Sequence, residues 1–180
     1  MFDGKLVRLR EYRREDIDLR YNYINDPEIL RYLESGIPYP LTFNEELKWF
    51  EAVSAFKDSY RFAVEAIAEG LYIGDCGINS VDWKNSVASA VIFIGSKAYR
   101  GRGYGTEAMQ ILMAFAFNQM NINKLRLNVY SFNEQALRSY EKCGFKREGL
   151  LRQEIFRDGR YYDTIVMGIL REEFKNKIGG

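Results

Sequence analysis

The chain has 180 residues, of which 47% are hydrophobic and 15% aromatic, so it has enough apolar material for one folded domain with its own core. Its 26 Lys and Arg residues nearly balance 25 Asp and Glu residues, and the net charge of +1 argues against non-specific binding to nucleic acid. Without any histidine, and with two cysteines far apart in sequence, a zinc site or a histidine-based catalytic triad is not expected.

The sequence also lacks an apolar run of the length that a signal peptide or a membrane span requires. We therefore expect a cytoplasmic protein in which residues 1–180 form a single domain. No bound metal, nucleic-acid partner or membrane partner is expected. The oligomeric state stays open, and a homodimer is one of the alternatives.

The N-terminal part predicts one strand and three helices. The segment LVRLREY alternates as a strand does, and apolar residues recur at helical spacing over residues 17–24. Asp26 and Pro27 fit the cap and the first position of a short second helix. Thr42 and Glu45 form a capping box, and the helix that follows has an apolar stripe made of Phe43, Leu47, Phe50 and Val53.

The remainder predicts a sheet interrupted by two helices. The runs YRFAVEAIA, LYIGDCGINSV and SVASAVIFIGS are separated by turn residues, which favours an antiparallel meander. A helix follows over about residues 103–120, and its apolar residues lie on nearly all sides. After the strand LRLNVY, Asn133 and Gly144 bound another helix, and Asp158-Gly159 joins two final strands. The order predicts a mixed α/β fold with one parallel crossover.

A glycine-rich loop, YRGRGYGTEAMQ, stands directly before the longer helix. Unpaired backbone N–H groups and the positive end of the helix dipole meet at such a point, so the loop predicts a site for an anion such as a pyrophosphate. Arg100 and Arg102 would lie beside that anion. The loop differs from a P-loop and from a dinucleotide fingerprint, since Thr106 stands where the latter has its third glycine. An ordinary glycine-rich turn remains the alternative.

Two motifs resemble the GNAT family of N-acetyltransferases. Arg100-x-x-Gly103-x-Gly105 is similar to the acetyl-CoA loop of that family, and NVYSFNEQALRSYEKCGF resembles its second signature. The opening GKLVRLREYRREDIDL and the closing RDGRYYDTIVMGIL look like those of the branch that acetylates the N-termini of ribosomal proteins. The resemblance therefore extends over nearly the whole chain.

The resemblance implies a mostly antiparallel sheet in which a central parallel strand pair splays apart to hold acetyl-CoA. The pantetheine arm would lie along Ile92, Phe93 and Ile94, with Asn128 and Asn133 on its far side. The acceptor amine would attack the thioester directly, with no covalent enzyme intermediate. The pyrophosphate would lie over Arg100, Gly101, Arg102, Gly103, Tyr104, Gly105 and Thr106.

By the same resemblance, Tyr140 is the general acid that protonates the departing CoA thiolate. Without the resemblance, a tyrosine on an amphipathic helix would be read as a core residue. Cys143, one turn later, is interpreted as a packed thiol because no histidine is present to activate it. Glu107, in the first turn after the loop, is interpreted as a favourable charge at a solvated helix N-terminus.

The general base is not evident from the sequence. Many family members carry a glutamate on the fourth strand, but SVASAVIFIG has no carboxylate. Glu34, Glu65 and Asp75 are candidates that chemistry alone does not rank, although a surface charge is the favoured interpretation of each. Loss of the proton to solvent is also open. We expect residues 33–50 to build the acceptor end as an acidic wall, with Glu34 as the catalytic carboxylate and with Glu45 and Glu46 nearby. Solvated helix faces, with Glu45 held in its capping box, are the alternative.

The sequence does not identify the acceptor. Overall resemblance favours a protein N-terminal α-amine, with a polyamine or another small amine as the alternative. A member of the family that binds CoA without turnover is a further alternative. The intact loop and Tyr140 argue against this last possibility, whereas the missing fourth-strand glutamate argues for it.

Overall fold

In a computed structural model that describes residues 1–33, 36–55 and 57–174, seven strands form one mixed sheet. The strands are β1 (Val7–Arg10), β2 (Tyr60–Ala66), β3 (Leu71–Asp82), β4 (Val87–Ile94), β5 (Lys124–Tyr130), β6 (Lys146–Arg157) and β7 (Arg160–Leu170). Their order across the sheet is β1-β2-β3-β4-β5-β7-β6. The helices are α1 (Asp16–Ile24), α2 (Pro27–Leu33), α3 (Phe43–Ala52), α4 (Tyr104–Asn118) and α5 (Glu134–Cys143). The predicted mixed α/β fold is confirmed.

The two central strands of the sheet pair over only part of their length. β4 and β5 are parallel, and the paired residues are Val87 with Lys124, Ala88 with Leu125, and Ser89 with Arg126. Further along, residues 90–94 pair with β3 alone, and residues 127–130 pair with β7 alone. The facing edges of β4 and β5 therefore separate and leave a gap in the middle of the sheet.

Helix α4 lies in the main core and confirms the prediction of burial on several sides. Ala108, Met109, Ile111, Leu112 and Met113 have no exposed surface. They pack with apolar residues of β1 to β5 in one continuous cluster. This burial fixes the start of α4, and hence the glycine-rich loop before it, relative to the sheet.

On the other face of the sheet, α1 and α3 are attached by buried charges. The Nε atom of Arg20 lies 2.6 Å from the carboxylate of Asp75, and its Nη1 atom also bonds Glu46. The same guanidinium lies 3.4 Å above the ring of Trp49. Glu46, rather than the predicted apolar stripe, is the buried residue of α3. A buried carboxylate is tolerated here because Arg20 pairs with it.

The capping signals in the sequence are confirmed. Thr42 and Glu45 form the expected capping box, in which the Glu45 carboxylate accepts the Thr42 N–H at 2.7 Å. The side chain of Asn133 accepts the N–H of Ala136 at 3.2 Å and caps α5. Gly144 ends that helix with a φ of +102°, in the left-handed region that favours glycine.

Candidate active site

A cleft of about 1010 Å³ lies at the gap between β4 and β5. Its walls come from the separated ends of these two strands, the glycine-rich loop, the helices α2 and α5, and the hairpin of β6 and β7. Among the residues predicted to bind acetyl-CoA, those that line the cleft are Ile92, Phe93, Ile94, Arg100, Gly101, Gly103, Gly105, Thr106, Asn128 and Asn133. The structure thus brings together at one cleft the two motifs that are more than twenty residues apart in sequence.

Glycine is required at different positions of the loop for different structural reasons. Gly101 and Gly103 have φ values of +71° and +94°, which strain any residue that has a Cβ atom. Gly105 is helical instead, and a Cβ atom there would lie 3.4 Å from the side chain of Ile94. The loop therefore uses glycine both for its backbone conformation and for the close approach of α4 to β4.

The side chains of the two loop arginines form hydrogen bonds within the protein, whereas the sequence predicted that they lie beside a bound anion. The Nε and Nη2 atoms of Arg100 donate to the carbonyls of Ile94 and Gly95 at 2.9 and 2.8 Å, and its Nη1 atom donates to Glu28 at 2.9 Å. Arg102 is exposed, donates to the carbonyl of Ala98 at 3.0 Å and does not line the cleft. A pyrophosphate in this loop would therefore depend first on backbone N–H groups.

Tyr104 also lies outside the cleft lining, although it is part of the predicted loop site. Its ring is buried and packs edge-on against Tyr99, with the centroids 4.9 Å apart. The side chain of Tyr104 thus anchors the loop to the core. Of this residue, the backbone alone remains a candidate for contact with a ligand.

Tyr140 lines the cleft from α5 and is only 9% exposed. Its ring packs against Phe145 at 5.9 Å between centroids. Burial, with a smaller contribution from Cys143, raises the pKa of its hydroxyl well above the usual value. The hydroxyl therefore stays protonated at neutral pH, as a hydrogen-bond donor must. Helix α5 is fixed beside the loop by a 2.9 Å hydrogen bond between the hydroxyls of Ser139 and Thr106.

Several of the acidic residues predicted for the active site lie outside the cleft. Glu65 and Asp75 are buried, with exposures of 5% and 4%, in ion pairs with Arg10 and Arg20. The surface-charge interpretation of both was therefore wrong, and neither lines the cleft. Glu45 is occupied by its capping box and Glu46 by Arg20, so the predicted acidic wall does not include them. Glu34 lies outside the described residues, and its assignment stays a prediction.

The described part of the chain provides three other carboxylates at the cleft. Glu28 is paired with Lys97 and Arg100, and Glu134 is paired with Arg138. Glu154 on β6 is exposed and has no ion pair with a described cation. No local sequence signal indicates Glu154, because β6 reaches the cleft only through its pairing with β7, which in turn pairs with β5.

One side of the cleft is apolar and aromatic, which the sequence did not indicate. Ile29 and Tyr32 of α2 line it together with Phe132 of the loop after β5. The rings of Tyr32 and Phe132 are 5.6 Å apart, and the guanidinium of Arg31 lies 4.9 Å from the Phe132 ring. Helix α2 therefore closes one side of the cleft through its contact with this aromatic ring.

Comparison with known proteins agrees with this geometry. The sequence model of the acetyltransferase (GNAT) domain matches residues 7–146. The chain belongs to the GNAT family. It is therefore an acetyl-CoA-dependent amine N-acetyltransferase, as the sequence motifs predicted.

Relatives within the GNAT family match the chain over nearly its whole length. The prophage-derived N-acetyltransferase YokL of Bacillus subtilis is 35% identical, over 96% of this chain and 94% of its own. The spermidine N(1)-acetyltransferase of Escherichia coli is 30% identical, over 93% of this chain and 88% of its own. The particular branch that acts on ribosomal-protein N-termini stays a prediction.

Solved structures of the family superpose on the described fold. The spermidine N-acetyltransferase of Vibrio cholerae in complex with CoA and spermine has a TM-score of 0.83 and 29% identity, and the match covers 94% of this chain and 98% of that one. A dodecameric structure of the same enzyme has a TM-score of 0.77 and 27% identity, over 94% and 96%. Among the residues described here, no helix is long and apolar enough to cross a membrane, and no cluster of side chains suited to a metal ion is found.

Proposed function

We propose that this enzyme transfers the acetyl group of acetyl-CoA to a primary amine of a polyamine such as spermidine or spermine. The observation that carries the proposal is the near-complete structural match to an enzyme that was solved with CoA and spermine. This acceptor was the alternative in the sequence analysis. The protein N-terminal amine, which was preferred there, is not supported by these relatives.

The proposed cosubstrate site follows the walls of the cleft. The pantetheine arm lies along residues 92–94, whose strand edge has no partner strand on the cleft side. The pyrophosphate binds the backbone N–H groups at the start of α4, where the helix dipole favours an anion. Arg100 supports this site mainly by holding the loop to the end of β4, since its donors already bond the carbonyls of Ile94 and Gly95.

We propose that Tyr140 donates a hydrogen bond to the sulfur of CoA as the thioester breaks. The C–S bond breaks, the acetyl carbon bonds the amine nitrogen, and the sulfur leaves with the electron pair of the broken bond. A thiol has a pKa of about 8.5, which is below that of a buried tyrosine. Complete proton transfer from Tyr140 to the thiolate is therefore uphill, and stabilisation of the developing charge is the main contribution.

Glu154 is the carboxylate that we propose to receive the ammonium group of the acceptor and to accept its proton directly or through a water molecule. It replaces Glu65 and Asp75 as the candidate, because those two are buried in ion pairs away from the cleft. Glu154 lies on the β5–β7–β6 side of the cleft, across from the loop side. Tyr32 and Phe132 then offer ring surface to the methylene chain and to its positive charges.

We also propose that residues 1–180 act as one domain that self-associates. All seven strands belong to one sheet, and the Vibrio cholerae enzyme has a dodecameric form. β6 is an edge strand of the sheet and exposes Leu150 and Phe156, neither of which lines the cleft. An exposed apolar edge of this kind is a surface for another chain, and light scattering in solution measures the resulting mass.

The decisive experiment is release of CoA thiol from acetyl-CoA with a panel of amines, followed by mass spectrometry of the product. We expect kcat/KM for spermidine and spermine to exceed that for an N-terminal peptide by at least about tenfold. Equal or higher values for the peptide would restore the N-terminal acceptor. Binding of acetyl-CoA without turnover of any amine would instead indicate a non-catalytic member of the family.

A further inference from the structure

The carboxylate of Glu107 binds three consecutive backbone N–H groups at the start of the chain. Its Oε1 atom accepts the N–H of Lys5 at 3.0 Å, and its Oε2 atom accepts those of Leu6 and Val7 at 2.7 and 2.8 Å. Glu107 lies in the first turn of α4, as expected, but the interpretation of its charge as a choice for solvation was wrong. The contact instead joins parts of the chain that are about one hundred residues apart.

The N–H donors belong to a tight turn, residues 4–7, which we call the N-terminal turn. The N–H of Gly4 bonds the carbonyl of Val7 at 2.8 Å, and the N–H of Leu9 bonds the carbonyl of Phe2 at the same distance. Successive N–H groups that converge in a turn form a concave anion-binding site. Here the anion is a side chain of the protein itself.

The N-terminal turn lies next to the loop that lines the cleft. Glu107 is in the first turn of α4, and its own N–H bonds the carbonyl of Gly103 at 2.9 Å. A Cβ atom on Gly103 would lie 3.5 Å from the side chain of Leu6. None of residues 4–7 lines the cleft, so this contact supports the loop without forming part of the cleft wall.

We infer that Glu107 is a positioning residue for acetyl-CoA, because it fixes the loop of residues 101–105 to the N-terminal turn. The inference rests on the proposed binding of the pyrophosphate by this loop. Hydrogen bonds to an ionised carboxylate are stronger than neutral ones, so three of them hold the first turn of α4 firmly against β1. A loop that already has its bound conformation loses less freedom when the ligand arrives, which increases affinity.

A simple charge effect makes the opposite prediction, and this makes the inference testable. Glu107 is an anion near the place where the pyrophosphate would bind, so its removal would by charge alone leave acetyl-CoA affinity equal or higher. In Glu107→Ala we expect the Kd and the KM for acetyl-CoA to rise at least about tenfold, with kcat at saturation and the KM for the amine within about twofold. Glu15→Ala is the matched control, because Glu15 is exposed and its side chain makes no capping bond.

Gly4→Ala perturbs the same contact from the other partner. A Cβ atom on Gly4 would lie 2.4 Å from Oε2 of Glu107, so the carboxylate must move while the cleft is untouched. We expect a higher Kd for acetyl-CoA, and we expect the double variant with Glu107→Ala to be no weaker than Glu107→Ala alone. Gly149→Ala is the control substitution, since its Cβ atom would make only an ordinary 3.9 Å contact with Val166.

Hydrogen exchange distinguishes a contact that strengthens acetyl-CoA binding from a contact that only stabilises the fold. If the contact strengthens acetyl-CoA binding, binding must strengthen the contact by the same factor. Acetyl-CoA should therefore slow exchange at the amides of Lys5, Leu6 and Val7 in the unmodified enzyme, and have no such effect in Glu107→Ala. Unchanged acetyl-CoA affinity in folded Glu107→Ala and Gly4→Ala would overturn the inference, whereas failure of the unmodified enzyme to bind acetyl-CoA would overturn the proposed function itself.

Discussion

The guanidinium of Arg100 lies 2.9 Å from the carboxylate of Glu28, and this contact joins the glycine-rich loop to α2 at the wall of the cleft. The same side chain donates to the carbonyls of Ile94 and Gly95, where β4 ends. One arginine therefore connects three of the elements that surround the proposed cosubstrate site. Its planar group with several fixed donors suits this role, and a lysine cannot reproduce it.

Arg100→Lys should therefore destabilise the protein, although the positive charge is kept. We expect the free energy of unfolding to fall by about 1–3 kcal/mol, because two carbonyls lose their donors, and we expect a higher Kd for acetyl-CoA. Urea denaturation and calorimetry measure the two quantities. Arg102→Lys is the matched control, since Arg102 is exposed and, among the residues that the structure describes, its side chain donates to the Ala98 carbonyl alone. An equal loss of affinity in both variants would contradict the structural role of Arg100.

Tyr140→Phe tests the proposed donor to the leaving sulfur. The variant keeps the ring that packs on Phe145 and removes the hydroxyl. We expect kcat to fall roughly a hundredfold with little change in the KM for acetyl-CoA, because the hydrogen bond forms mainly in the transition state. Steady-state kinetics with spermidine measure this, and calorimetry with CoA checks binding. Turnover equal to that of the unmodified enzyme would reduce Tyr140 to a packing residue.

The raised pKa of Tyr140 predicts the shape of the pH profile. A raised pKa means that the hydroxyl keeps its proton beyond the usual value of about 10, so its activity as a donor is lost only at higher pH. The acceptor, by contrast, is an alkylammonium that must lose a proton before it attacks, so kcat/KM should rise from about pH 6 to pH 9. A decline of the unmodified enzyme below pH 9 that disappears in Tyr140→Phe would show that Tyr140 ionises earlier than its burial implies.

Glu154→Gln tests the proposed carboxylate of the acceptor site. The amide keeps the shape but neither attracts the ammonium group nor accepts its proton. We expect kcat/KM for spermidine to fall by roughly a hundredfold while the Kd for acetyl-CoA is unchanged. Glu148→Gln is the control on the same strand, because Glu148 pairs with Lys124 and does not line the cleft. Equal activity of Glu154→Gln and the unmodified enzyme would exclude Glu154 and leave Glu34 as the candidate carboxylate.

Asp75→Asn tests whether Asp75 is structural, as its burial indicates. Asp75 is 4% exposed, pairs with Arg20 and accepts the hydroxyl of Tyr72 at 2.7 Å. Asparagine weakens the charged hydrogen bond to Arg20, while Glu46 still balances the charge of Arg20, and we expect a loss of about 1–3 kcal/mol of stability. Calorimetric melting should show the loss, while kcat measured well below the melting temperature should be unchanged. A large fall in kcat without a loss of stability would support the catalytic interpretation of Asp75.

The sequence by itself determined the features that depend on neighbours along the chain. The capping box of Thr42 and Glu45, the cap at Asn133 and the glycine end of α5 are all local hydrogen-bonding arrangements, so their residue types suffice to predict them. The two motifs of the cosubstrate site are likewise short runs. Their meeting at one cleft was predicted by resemblance to the GNAT family.

Only the tertiary structure decided which charges face the cleft and which are buried. Glu107 binds N–H groups about one hundred residues away, and Glu154 reaches the cleft through two strand pairings. Asp75 looks like a surface carboxylate in the sequence but lies beneath α1, where Arg20 pairs with it. The periodicity of one strand or helix indicates which face is polar, but not which partner of opposite charge the fold brings to that face. That choice depends on long-range packing, and it separates the catalytic carboxylate that we propose from the structural ones.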